Sequence, residues 1–195
     1  VLYQDKFLNS NVIAIGFYGD INFNCETGGG WIKFGPQRKV TKSINTQILE
    51  LDSKPALDLY KEYVGKESSN LPASALYYPL CFHTKDNREI TRTVLGVNEK
   101  DRSIILAGEI PEGATVSLMH ADFSELIAGA ASCGEKLKIT DNNNSLSLVV
   151  SCVGRRMVLG EYAESEIDAI INTNKISNLV GFYSYGEIAP LEKQN

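Results

Sequence analysis

Two short apolar runs near the end of the chain, with a helical stretch between them, limit what this sequence can fold into more than any other feature. The first, Leu146-Ser147-Leu148-Val149-Val150-Ser151-Cys152, lies between Asn142-Asn143-Asn144 and Gly154 and reads as a buried strand. After Arg155 and Arg156, Ser165-Glu166-Ile167-Asp168 opens a helix with a Ser-x-x-Asp capping pattern, and Ile167, Ile170 and Ile171 give it one apolar face. The second run, Leu179 to Ile188, reads as another strand. Strand, helix and strand in that order predict a parallel pair joined by a right-handed crossover, with both carboxyl ends on one edge.

That edge gathers Ser151, Cys152, Gly154 and Arg155 from the first strand with Tyr185, Gly186 and Glu187 from the second. Open sheets take ligands outside the carboxyl ends of their strands, where loops and helix N-termini offer unpaired donors. Two-residue alternation sets Tyr183, Tyr185 and Glu187 on one face and Val180, Phe182, Ser184 and Gly186 on the other. Two phenols and a carboxylate on one face read as a pocket wall. The plainer reading is a partly exposed strand whose tyrosines pack under a loop.

Upstream, Val12 to Phe17 predict a strand, and Gly19-Asp20 turns the chain into Ile21-Asn22-Phe23. Cys25 to Trp31 reads as a flexible glycine-rich loop anchored by Trp31 and Phe34 and turned at Gly35-Pro36. Gly28-Gly29-Gly30 lacks the Lys-Ser or Lys-Thr of a phosphate loop, and Asp20-x-Asn22-x-Asn24 lacks the glycine and distal glutamate of a calcium loop. Lys39 to Ser43 and Thr46 to Leu51 read as strands joined at Ile44-Asn45. A helix capped by Asp52 or Ser53, with Pro55 in its first turn, then carries Ala56, Leu57, Tyr60, Tyr63 and Val64 on its apolar face and stops at Gly65. Lys66 to Pro72 reads as a loop.

Tyr78–Thr84, Ile90–Val97, Ile104–Glu109 and Thr115–Met119 follow at hairpin spacing, separated by Lys85-Asp86-Asn87, Glu99-Lys100-Asp101 and Pro111-Glu112-Gly113. Asp122 and Glu125 then open a helix with Phe123, Leu126, Ile127, Ala130 and Leu137 at helical spacing, and its Gly129 and Gly134 predict close packing on a sheet. A turn at Asp141 to Asn144 leads to the closing unit. The chain reads without internal repeat or low-complexity segment. The fold class is therefore α+β: a mixed, largely antiparallel sheet with helices packed on it and a closing β-α-β unit.

Composition removes several function classes. With 195 residues and 43% hydrophobic content the chain can bury a sizeable core, as one domain or two smaller ones. A net charge of −5 and no basic cluster longer than Arg155-Arg156 argue against nucleic acid or an anionic membrane as partner. No apolar span approaches the roughly 20 residues of a membrane helix, and no secretory signal opens the chain. The start at Val1, without methionine, reads as a fragment of something longer. Cys25, Cys81, Cys133 and Cys152 are widely spaced without a C-x-x-C pair, the usage of free thiols in a reducing, cytoplasmic compartment.

Trp31-Ile32-Lys33-Phe34-Gly35-Pro36, Val40-Thr41-Lys42, Leu49-Glu50-Leu51-Asp52, Pro55-Ala56-Leu57, Tyr60, Ser151-Cys152-Val153-Gly154-Arg155 and Gly181-Phe182-Tyr183-Ser184-Tyr185-Gly186-Glu187-Ile188 occur in an arrangement that resembles the FIST family of F-box and intracellular signal transduction proteins. The resemblance implies that residues 1–45 are the C-terminal part of a FIST N-terminal domain, that 46–190 are most of a FIST C-terminal domain, and that 191–195 are a truncated tail. The chain ends before the family's usual Cys-x-Leu-His-Asn-Gln-Thr segment. It further implies an intracellular sensory module that binds a small ligand, such as an amino acid, and reports to a signalling output domain or protein. Catalysis, cofactor and metal are not implied.

Arg155 leads the candidate ligand residues, because a guanidinium beside the amides of a strand-to-helix turn can grip a carboxylate through two parallel hydrogen bonds. An amino acid's ammonium would then meet Glu187, with Tyr183 or Tyr185 closing the side and Ser151 and Cys152 at the turn. The bland counterpart is a salt bridge between Arg155 and Glu187 that only braces the turns. Arg92, in Ile90-Thr91-Arg92-Thr93-Val94, stands where the family tends to carry arginine and is a second anion candidate. Cys152 as a nucleophile would need a histidine base, for which His83 and His120 offer no local motif, and Cys81-x-His83 is too short a pattern for a metal site. A ligand-binding sensor, an F-box-like interaction scaffold and a thiol-dependent enzyme are the three readings, in that order.

Overall fold

The computed structural model describes residues 2–3, 6–7, 12, 14–84, 88–137 and 144–189. After a short hairpin of β1 (Leu2–Tyr3) and β2 (Lys6–Phe7), eight strands form one curled sheet: β3 (Trp31–Ile44), β4 (Gln47–Leu51), β5 (Lys54–Pro55), β6 (Leu80–His83), β7 (Glu89–Arg92), β8 (Val94–Asn98), β9 (Ser103–Leu106) and β10 (Thr115–Ala121). Its order is β7-β6-β10-β3-β4-β9-β8, with β5 beside β4, and every pairing is antiparallel.

β3 joins the two halves of this sheet. Its residues from Trp31 to Lys39 pair with β10, and those from Val40 to Ile44 pair with β4. Gly35-Pro36, expected to turn the chain, lies inside the strand at a bulge: Phe34 pairs with Leu118 and Arg38 with Val116, so the residues between them face Ser117 alone. A bulge leaves a residue out of the ladder, which suits a proline without N–H, and Gly35 takes the positive φ of 71°. The expected single strand Ile90–Val97 is likewise two. It breaks at Thr93 because β7 pairs with β6 and β8 with β9, at opposite ends of the sheet order.

The curl encloses α1 (Ala56–Val64), whose Leu57 and Tyr60 are buried among Val40, Ile48, Leu80, Val94, Ile104, Leu106 and Val116. The Tyr60 hydroxyl donates to the Tyr78 carbonyl at 2.8 Å, and burial raises its pKa far above the ordinary phenol value. Asp52 and Ser53, expected to cap this helix, instead form a left-handed turn between β4 and β5 with φ of 50° and 61°. The Asp52 carboxylate accepts from the Lys39 amide at 2.8 Å and from Arg38 at 3.1 Å. Lys66–Pro72, expected as loop, lies largely in a short 3-10 turn at Gly65–Asn70, and a second such turn follows at Ala73–Tyr77.

The closing part is a second layer: α2 (Phe123–Lys136), β11 (Ser147–Cys152), α3 (Val153–Leu159), α4 (Ala163–Asn174) and β12 (Leu179–Ser184). Asp122 caps α2 by accepting from the Glu125 amide at 3.1 Å. β11 and β12 run parallel, from Ser147 opposite Leu179 to Cys152 opposite Ser184, as a separate two-stranded sheet on α2 and α4. Arg155 and Arg156 belong to α3, and α4 begins at Ala163 without a side-chain cap, so the expected helix start at Ser165 falls within it. Gly134 packs against α4 rather than a sheet, since a Cβ there would meet the Ile170 carbonyl oxygen at 3.0 Å.

Residues 12 and 14–30 form no strand, against the expectation for Val12–Phe17 and Ile21–Phe23. Apolar alternation makes a strand only where a neighbour takes up its backbone groups, and among the described residues no ladder partner lies beside them. The separators expected at 85–87 and 141–143 and the tail at 191–195 lie outside the described residues.

Candidate functional site

α3 follows β11 directly, so Arg155 points into the layer between α2 and α4 and not along the sheet edge. It is 8% exposed. Its Nε and Nη2 each lie 2.7 Å from Glu166 Oε1, Nη1 donates to the Gly29 carbonyl at 2.5 Å, and Nη2 donates to the Leu126 carbonyl at 2.7 Å. The other carboxylate oxygen of Glu166 accepts from Ser151 Oγ at 3.0 Å. Two buried charges are thereby neutralised and hydrogen-bonded within the protein, which ties β11, α3, α4, α2 and the glycine loop together.

Arg155 was expected to grip a ligand carboxylate or, in the plainer reading, to be braced directly by the carboxylate of Glu187. That carboxylate is exposed and accepts from Ser184 Oγ, while Tyr185 is 96% exposed. The reason lies in the register: β11 ends at Cys152 opposite Ser184, so among the described residues β12 has no neighbour beyond Ser184 and its alternation stops there. Tyr183, still in the strand, has the Arg156 guanidinium 4.9 Å above its ring. Cys152 is half-buried at the start of α3. The geometry therefore does not bring Arg155, Glu187, Tyr183 and Tyr185 around one hollow. Glu166 is the residue that reading the sequence missed, although Ala163, Glu166 and Ile170 share one helix face and that spacing places a carboxylate among apolar residues.

Arg92 closes β7, with its guanidinium 5.7 Å over the Phe82 ring and its Nη1 donating to the Thr91 carbonyl at 3.4 Å. Its buried Nε has no hydrogen-bond partner and sits against Gly108, where a Cβ would come within 2.6 Å.

A concave site lies elsewhere, where β3, α1, β10 and the second 3-10 turn meet. Phe34, Tyr63, Tyr77, Tyr78, His120 and Ala121 line a hollow of about 320 Å³. Phe34 is the ring the others share: those of Tyr63 and Tyr78 each lie edge-on at 6.4 Å and His120 at 5.3 Å. Arg38 holds Tyr63 by donating from Nε to its hydroxyl at 2.8 Å, and is itself held by Asp52. The bulge sets this wall, because Gly35 brings the backbone so near that a Cβ would lie 3.2 Å from the Tyr63 ring. A second hollow of about 500 Å³ shares Tyr77 and Tyr78 and adds Glu67, Asn70, Leu76 and, from α3, Met157 and Val158.

Comparison with known proteins matches the FIST N domain to residues 1–54 and the FIST C domain to residues 56–190. The chain belongs to the FIST family. FIST domains are associated with signal transduction. In this FIST chain the two matches meet at the start of α1, yet β3 and β4 of the first are hydrogen-bonded within one sheet to β10 and β9 of the second. An uncharacterised protein of Methanocaldococcus jannaschii is 25% identical over 198 residues, covering 87% of this FIST chain and 38% of its own length. The FIST chain thus spans well under half of that curated relative. No solved structure gives a significant match. Among the described residues no helix is long and apolar enough to cross a membrane.

Proposed function

We propose that this FIST chain is a sensory module that binds a small amine-bearing ligand of amino-acid type in the hollow around Phe34, and acts by binding, without catalysis. The observation that carries this reading is the ring arrangement: Phe34, Tyr63, Tyr78 and His120 converge on a concavity, and the Tyr63 ring already holds a cation, the Arg38 guanidinium, 5.7 Å from its centre. Ring faces attract ammonium groups, and a volume of about 320 Å³ is in the range of sites for small molecules. In the adjoining hollow the Asn70 amide, which donates to Glu67 at 3.0 Å, offers a polar partner for the remainder of such a ligand.

The test is a calorimetric titration and thermal-shift screen of the chain with free amino acids and simple amines, repeated on Tyr77→Ala, which changes a half-exposed ring shared by both hollows. A ligand at about 100 times its Kd stabilises by about 2.7 kcal/mol. Stabilisation in the parent chain that is lost in Tyr77→Ala supports the site. No stabilisation by any amine, or undiminished stabilisation in Tyr77→Ala, overturns it.

The runner-up, an interaction scaffold, rests on a different observation: Leu148, Val150, Val180 and Phe182 leave an apolar sheet face exposed. The thiol-enzyme reading has less support, since His83 pairs with Glu89 and His120 faces the Ala121 carbonyl.

A further inference from the structure

The hollow around Phe34 offers a ligand two groups of opposite chemistry, and hydrogen bonds already made in its wall decide which is which. The first is the Tyr63 hydroxyl. Its oxygen accepts from Arg38 Nε at 2.8 Å, so its own proton is turned away from Arg38 and left for a second partner. A cation donating to that oxygen polarises the O–H and strengthens it as a donor. The arrangement is anchored behind the wall, where Arg38 Nη1 donates to Asp52 Oδ2 at 3.1 Å and the Lys39 amide to Asp52 Oδ1 at 2.8 Å. With the Arg38 guanidinium 5.7 Å from the Tyr63 ring centre, this side of the hollow favours an anion over a second cation.

The second group is His120. Its Nδ1 lies 3.2 Å from the Ala121 carbonyl oxygen, and a carbonyl can only accept, so in the neutral ring Nδ1 carries the proton and Nε2 an open lone pair. His120 packs on Phe34 at 5.3 Å between ring centres, and Tyr78 does so at 6.4 Å. A lone pair among aromatic rings suits an ammonium group: the nitrogen accepts one N–H while the ring faces draw the charge. Tyr63, His120 and Phe34 line one hollow of about 320 Å³, so a single small molecule can meet all three.

Resting on the reading of this hollow as the ligand site, we infer that it selects small molecules carrying both charges. The anionic group accepts from the Tyr63 hydroxyl, and the ammonium donates to His120 Nε2. Arg38 positions and polarises Tyr63 without touching the ligand. Aromatic faces alone would take any small amine, whereas a hydroxyl backed by a guanidinium adds a requirement for a carboxylate. Tyr63 and His120 therefore set specificity, each for one pole of the ligand.

The experiment is calorimetric titration and thermal shift of the whole chain with the standard amino acids, each beside the amine that lacks its carboxylate and the acid that lacks its amine. The parent chain should bind at least one amino acid about tenfold more tightly than either counterpart. Tyr63→Phe and Arg38→Met should each weaken that amino acid and its acid about tenfold and leave the amine unchanged. His120→Phe should weaken the amino acid and the amine and leave the acid unchanged, and His120→Gln, which keeps an acceptor, should restore part of the loss. Roles in packing alone would weaken all three alike. An amine that binds as tightly as its amino acid, or variants that do not separate the three ligands, overturn the inference and leave the amine site standing. No binding by any amino acid or amine overturns that site as well. Melting without ligand checks that each variant folds; Arg38→Met stands in for Tyr63→Phe, and His120→Leu for His120→Phe, where either does not.

Discussion

At the scale of the residue, the decisive fact is that Arg155 spends its donors on Glu166 and on two carbonyl oxygens, all inside the protein. Removing one member of a buried pair leaves the other charged and unpaired, so Glu166→Ala should cost about 3–5 kcal/mol in denaturant unfolding. Arg155→Met with Glu166→Leu should cost less than the sum of the single changes, which a double-mutant cycle measures. Asp52 permits a cleaner electrostatic test. The Lys39 amide, and after it Arg38, holds this carboxyl below its usual pKa. Its folded pKa is lower than its unfolded one, so its contribution is complete above the unfolded value of about 3.9 and disappears as pH falls through the folded value. Asn tolerates the left-handed backbone at this position, so Asp52→Asn should keep the turn and flatten the fall of Tm with acidity below about pH 4. Arg155 illustrates what was legible here: its type and its turn were readable, but its partner depended on a helix that starts at Val153, where Gly154 signals a break. Local sequence does not say which of two carboxylates a guanidinium will reach.

At the scale of the element, Gly28-Gly29-Gly30 acquires a role other than flexibility. A Cβ on Gly30 would lie 2.3 Å from the Glu125 carbonyl oxygen, and one on Gly129 would lie 2.5 Å from that of Gly29. The loop thus crosses α2 backbone against backbone, and the Arg155 bond to Gly29 fastens it there. Alanine at 129 would raise helix propensity by about 1 kcal/mol in isolation. Here the clash is with main chain, so Gly129→Ala should instead lower stability and loosen the loop, observed as a reduced Tm and faster proteolysis within 25–30. The β6–β7 and β8–β9 hairpins and the parallel closing pair were readable from period and turn residues, whereas the hairpin expected across Pro111-Glu112-Gly113 does not form, because β9 pairs with β4 and β8 and β10 with β3 and β6. The bulge at Gly35 and the break at Thr93 were not, because each is set by which strand lies alongside. The aromatic hollow went unread for the same reason: Phe34, Tyr63 and His120 come from three separate elements and Tyr78 from a connection, and no spacing along the chain links them.

At the scale of the molecule, the expected class of fold stands, but its mixed character comes from two sheets: a curled antiparallel one and a parallel pair. The family matches divide the chain near residue 55, whereas the hydrogen bonds do not. β3 and β4 occupy the middle of the sheet, between β10 and β9, and Val40, Ile48 and Leu51 belong to the same apolar core as α1. A chain begun at Ala56 would therefore expose the edges of β10 and β9 and uncover one wall of α1, leaving its β-hairpins without the strands that join them. It should lose cooperative thermal unfolding and near-ultraviolet dichroism, in contrast to a chain begun at Gly28, which keeps β3 and β4 and should melt in one transition. Adding the separate segment 28–55 to the shorter chain should restore the transition, because the missing strands are contiguous and need only pair with two existing edges. A cooperative transition from the shorter chain alone would mean that the matched FIST C segment carries its own core, and that β3 and β4 are additions to a sheet already able to stand.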